Sequence, residues 1–161
     1  MSNPPTLTGA RLWAMAALRI LIGWHLLYEG IAKIWNPYWT SAGFLADSQG
    51  PLSPLFIWLA SDPGRLTVVD MLNQWGLTLI GLGMILGVFS RFATCMAAVL
   101  LTLYYLGSPP WPGIESSAPA EGSYLIVNKT LIELAALVVL WLFPTGRQVG
   151  FDAYLTRGGD Q

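Results

Sequence analysis

The chain has 161 residues, 54% of them hydrophobic and only 11% charged, and a mean hydropathy of +0.54, which excludes an ordinary soluble domain and points to an integral membrane protein. A formal net charge of -1 leaves no basic stripe to neutralise phosphates and excludes a nucleic-acid partner. The single cysteine, Cys95, excludes an intramolecular disulfide, a CxxC couple and a thiolate-rich metal or iron–sulfur site made by this chain alone, and is assigned to packing.

In chain order, apolar segments at about 11–34, 72–89, 92–106 and 125–143 reach or approach spanning length. They predict a single all-α membrane domain over 1–161, a bundle of four transmembrane helices. The first segment is full length and runs on into charged helical sequence, so it reads as a retained span rather than a cleaved signal. Residues 35–68 follow, with Trp35, Tyr38, Trp39 and Trp58 punctuated by Pro37, Pro51, Pro54 and Pro63. This long aromatic loop between the first two spans is too aromatic for a plain linker, and Leu52 to Ala60 suits a short interfacial helix.

Only Ser90-Arg91 separates the second and third spans, which predicts a tight helical hairpin. Gly83/Gly87 and Ala93/Ala97 give small-residue faces for close approach. The glycines between Gly81 and Gly87 lie inside an apolar span without a preceding strand, so they read as helix packing and not as a nucleotide loop. Residues 107–123 form a Pro-rich, acidic loop without Lys or Arg. Arg11, Arg91, Arg147 and Arg157 fall on one side of this topology, and the positive-inside rule then puts both termini in the cytoplasm of a prokaryotic inner membrane.

Ionisable residues inside the spans carry the functional signal, since each costs roughly 2.5–3.5 kcal/mol at a helix centre on insertion scales. Glu29 and Lys33 lie one turn apart in the first span, and Lys129 and Glu133 repeat the spacing at the matching depth of the last. On an ideal helix Arg19, Ile22, Leu26, Glu29 and Lys33 share an arc of about 80°, with His25 at its edge. Asp70 and Asn73 join them from the second span. The expectation is one shallow cavity in the outer half, ringed by Tyr28, Tyr104, Tyr105 and Tyr124.

Two readings stay open. In one, Glu29–Lys33 and Lys129–Glu133 are structural pairs that neutralise each other and fix register. In the other, Lys33 and Lys129, with Arg19 and Asn128, hold a small anion or a quinone head group, while Glu29, Glu133 or His25 carries protons, histidine having the pKa suited to transfer near neutrality. Arg19 lies nearer the midplane, where a guanidinium needs a carboxylate, carbonyls or an anion. One histidine beside two carboxylates is a weak metal signal, and no metal site is assigned.

The segments Arg19-Ile20-Leu21-Ile22-Gly23, Glu29-Gly30-Ile31-Ala32-Lys33 and Gly146-Arg147-Gln148-Val149-Gly150-Phe151-Asp152 resemble the DoxX/DoxD family of four-helix membrane proteins. Trp39-Thr40-Ser41-Ala42-Gly43-Phe44-Leu45, followed by Gly50-Pro51-Leu52, looks most like the DoxD branch. The resemblance covers almost the whole chain, though Pro144-Thr145-Gly146-Arg147 departs from the commoner Gly-Pro-Gly-Arg form. It implies a DoxD-type subunit of thiosulfate:quinone oxidoreductase, working with a smaller DoxA-type partner and passing two electrons from two thiosulfates to quinone. The alternatives are a non-catalytic accessory subunit of a larger respiratory or photosynthetic complex and, ranked last, a small-solute transporter, because no inverted repeat is evident.

Overall fold

Residues rich in Ala and Leu make Gly9–Trp35 the first helix, α1. It stops where Pro37 forces Asn36 out of helical geometry, at φ -92° and ψ 101°. In the computed structural model, which describes residues 8–111 and 125–153, five more helices follow: α2 (Ala42–Ala46), α3 (Ser53–Ala60), α4 (Pro63–Leu86), α5 (Ser90–Gly107) and α6 (Lys129–Leu142). Tyr124, Arg157 and the acidic stretch 115–123 lie outside the described residues.

Helix α4 begins earlier than the apolar pattern predicts. Asp62 accepts the Arg65 N–H at 2.9 Å and Pro63 occupies the first turn, so the helix starts in polar sequence. It ends at Gly87, whose left-handed φ of 68° turns the chain. Phe89, at φ 47°, continues the turn into α5.

Helices α1, α4 and α5 have 27, 24 and 18 residues, and all three are long and apolar enough to cross a membrane, as in an integral membrane protein. The last segment is shorter than expected. Leu125 sits at φ 61°, and Asn128 caps α6 by accepting the Leu131 N–H at 2.9 Å, so helix begins only at Lys129. Pro144 stops it downstream. Its 14 residues reach about 21 Å, against about 30 Å of bilayer hydrocarbon.

The broadest helix interface joins α1 to α4, which run antiparallel. A Cβ placed on Gly23 would stand 3.0 Å from Met84 Cβ, Gly30 is pressed against Thr78, and Gly81 against the Leu27 backbone. Lacking side chains, these glycines let the two backbones meet. The hairpin face expected between α4 and α5 is present in part. Gly83 faces Ala93, whereas Gly87 has left the helix and lies beneath the Arg19 guanidinium. Between the helices Ile22, Leu26, Leu77, Met84, Ala97, Leu101 and Leu137 form the core. Cys95, expected in packing, is exposed on α5.

The loop 36–62 is docked rather than free. The Ser41 N–H and hydroxyl donate to Asp70 at 2.7 and 2.6 Å, the Ser48 hydroxyl donates to the Gly107 carbonyl, and Phe44 packs between Phe56 and Tyr104. The opposite end of the bundle is closed by the tail, Pro144–Ala153. Asp152 accepts from the Phe89 N–H, the Ser90 N–H and the Ser90 hydroxyl at 2.8, 2.9 and 2.7 Å. Arg19 Nη2 donates to the Val149 carbonyl at 2.8 Å. Burial opposes the Asp152 charge, but the Ser90 and Phe89 hydrogen bonds and nearby Arg19 outweigh it and hold the carboxyl below its ordinary value.

Two expectations follow. Gly81→Ala drives a methyl into the Leu27 backbone and lowers the thermal midpoint in detergent by several degrees. Gly76→Ala, with open space at its Cβ, leaves the midpoint unchanged or higher by virtue of alanine's helix propensity. For the tail, a depressed carboxyl stabilises the fold above the unfolded-chain pKa and is lost as pH falls through the lower folded-state value. Limited proteolysis should therefore find the tail protected at neutral pH and released in acid, and Asp152→Asn should remove that pH dependence.

Candidate functional site

Four ionisable residues of α1 rise along one stripe in the order Arg19, His25, Glu29, Lys33, and the neighbours of α1 divide them. Helix α6 meets α1 on the His25 edge and α4 on the glycine edge. His25 Nδ1 lies 2.9 and 3.1 Å from the two carboxylate oxygens of Glu133. The histidine side chain is 44% exposed and the carboxylate only 13%, so the pair has one wall of protein and one open side. Glu29 and Lys129 are close enough for their charges to act on His25.

The open side is a groove of about 340 Å³ between α1 and α6. Leu21, Ile22 and Ile132 give it apolar walls, and His25, Glu133 and Lys129 supply its polar groups. Such a groove suits an amphiphile with a small polar head, entering sideways from the lipid. With Nδ1 committed to Glu133, the ring nitrogen left for a bound molecule is Nε2, an acceptor when the imidazole is neutral and a donor when it is protonated.

Glu29 and Lys33 form a second cluster beyond the first. Lys33 Nζ stands 3.4 Å from Glu29 and beneath an aromatic cover, 5.3 Å from the Trp39 ring centroid and 5.8 Å from that of Tyr104. Aromatic faces attract a cation, so the ammonium is held under the docked loop by charge and by quadrupole. Asn73 Nδ2 donates to the Tyr104 hydroxyl at 2.6 Å, while Asn73 Oδ1 is buried without a partner. One atom of that amide therefore faces inward unsatisfied, whichever way the amide is turned.

The single cavity expected from spacing is thus two sites on α1. Glu133 takes His25 as its partner from another helix, because α6 packs on the His25 side of the stripe. Among the described residues the expected tyrosines do not gather: Tyr104 serves the lysine cluster, Tyr105 donates to the Ile126 carbonyl at 2.7 Å, and Tyr28 is 63% exposed. Asn128 caps α6. Arg19 is at the tail end, about six residues or 9 Å of helix rise below His25. Asp70 holds Ser41 of the loop. The Asn73–Tyr104 and Ser41–Asp70 bonds join residues 31 and 29 positions apart, for which no local sequence signal exists. Among the described residues no three His, Cys, Asp or Glu side chains gather as candidate metal ligands.

Removing His25 deprives a mostly buried carboxylate of its histidine. His25→Ala should therefore lower the thermal midpoint more than the double variant His25→Ala/Glu133→Gln, in which no charge is stranded; with Glu133→Gln measured alone, single-variant losses that add up to that of the double variant would mean that the pair is not coupled.

Compared with protein-family models, with curated proteins and with solved structures, the chain finds no match.

Proposed function

We propose that the protein is a membrane subunit of a quinone-linked oxidoreductase, in which the groove between α1 and α6 receives the quinone head group. The observation that carries this reading is the His25–Glu133 pair, 2.9 Å apart, at the polar end of a laterally open apolar groove. Reducing a quinone to a quinol takes two electrons and two protons. His25 Nε2 is suited to donate to a quinone carbonyl oxygen, Glu133 to stabilise the imidazolium and orient the ring, and Lys129 to favour negative charge developing on the head group. Glu29 is placed to resupply protons, and Lys33 to draw an anion toward the loop end.

The resemblance of the Arg19–Gly23, Glu29–Lys33 and Gly146–Asp152 segments to the DoxX/DoxD family supplies the electron donor in this reading. Thiosulfate gives one electron per molecule, two joining as tetrathionate, with a DoxA-type subunit as partner. Helix α6, extended by its flanking residues, serves as the fourth crossing, and the loop end faces outward, with both termini in the cytoplasm of an inner membrane. A second reading, a non-catalytic subunit of a larger membrane complex, draws on Trp35 and Tyr38, 83% and 91% exposed at the loop end, as a docking surface.

The test is purification in mild detergent with mass spectrometry of bound quinone and partners, followed by thiosulfate-dependent quinone reduction. Expected are bound quinone and a fall in turnover of roughly a hundredfold for His25→Ala or Glu133→Gln, the scale of a lost acid–base group. Unchanged turnover in both variants would remove the pair from the chemistry. Copurification in a large stoichiometric assembly without quinone would favour the accessory role.

A further inference from the structure

Helix α6 shares its tail-end limit with α4 and α5. The tail that follows it donates from the Phe151 and Asp152 N–H groups to the Leu86 and Gly87 carbonyls at 3.1 and 2.9 Å, and Asp152 accepts the Ser90 N–H at the start of α5. Measured from that common end, the 24 residues of α4 rise about 36 Å and the 14 of α6 about 21 Å. The shortfall of α6 therefore lies at the loop end, and amounts to about 9 Å of a hydrocarbon layer about 30 Å thick.

The backbone that leads into α6 does not make up the difference as helix. Leu125 is at φ 61°, and Leu125, Ile126 and Val127 are non-helical while 71%, 56% and 37% exposed. Irregular backbone facing lipid is not found within the hydrocarbon, because its N–H and C=O groups have no water to bond there. The Ile126 carbonyl accepts from the Tyr105 hydroxyl at 2.7 Å, which ties this stretch to α5. Directly below it stand charged groups. Lys129 opens α6, and Glu133, one turn on, meets a His25 side chain that is 44% exposed.

We propose that the loop-end leaflet thins against the α1–α6 flank, so that its headgroups and their water dip to the level of Lys129 and His25. The partner is the phospholipid surface itself. A bilayer meets a short apolar span by thinning, at modest cost per ångström, and here the dip also supplies water to the irregular backbone and to the ionisable groups. On the flank formed by α4 the helix is long enough for the full layer, so the thinning is local. The inference holds whatever the groove carries: its polar end meets the interface, while its apolar walls remain open to lipid chains.

The test compares two positions at one depth. Gly23 meets Gly81 and Met84, and Gly30 meets Thr78, so residues 78–84 of α4 are level with His25 and hence with Glu133. Leu79 on α4 and Ile132 on α6 are each 62% exposed. In a Cys95→Ala background, Leu79→Cys and Ile132→Cys are placed in phosphatidylcholine nanodiscs after detergent exchange has removed copurified lipid and quinone. A charged, water-soluble maleimide then reports where a thiol meets water, each rate being normalised to the denatured chain.

Ile132→Cys should react faster than Leu79→Cys by about tenfold or more, since a thiol in hydrocarbon meets neither water nor the reagent. Ile126→Cys, higher on the same flank, should react at least as fast as Ile132→Cys. Equal rates at Leu79 and Ile132, whether slow under a full layer or a covering partner or fast throughout the disc, would overturn the proposal. The readout is contact with water and not turnover, so its failure is distinct from that of the quinone reading.

Discussion

The near-contact of the α1 and α4 backbones at Gly23, Gly30 and Gly81 is the constraint on which the remaining structure depends. In lipid no hydrophobic force draws two apolar helices together, so close packing has to supply the attraction, and small residues permit it. Once α4 occupies the glycine edge of α1, the far flank, bearing His25 about 140–160° around the helix, is left for α6. The groove, and the choice of His25 as partner to Glu133, follow from that allocation.

The charged groups within the apolar layers are handled in different ways. Glu29 and Lys33 pair along one helix and are roofed by Trp39 and Tyr104. His25 and Glu133 pair between helices at an open groove. Arg19 reaches the tail and retains unpaired N–H groups. The first arrangement is the most self-sufficient and fits a structural pair as well as a charge store. Of the other two, only the His25–Glu133 pair leaves hydrogen-bonding capacity facing open space, and such capacity is what a ligand uses.

The two ends of the bundle are closed by unlike devices. At the loop end an aromatic layer of Phe44, Phe56 and Tyr104 is tied down by Ser41–Asp70 and Ser48–Gly107 bonds. At the tail end Asp152 accepts the first N–H groups of α5, which have no intrahelical acceptors. A carboxylate there also meets the positive end of the helix dipole, so the tail closes the turn and neutralises it in one contact.

Several features could be read from the sequence because they are local. Apolar length indicated the three long helices, and the i,i+4 spacing of Glu29 and Lys33 a pair that forms, whereas Gly87, expected on a packing face inside the second span, ends α4 instead. The shortness of α6 was not legible from hydropathy, because Leu125, Ile126 and Val127 are apolar yet lie in non-helical backbone before the Asn128 cap. The early start of α4 was hidden for the converse reason, its first turns being polar. That Glu133 meets His25 depended on which edge of α1 faces α6, and the 108 positions between His25 and Glu133 carry no trace of it. Spacing along a helix determines which residues share a face; only the packing of helices decides what that face meets, because partner choice is a property of three-dimensional proximity.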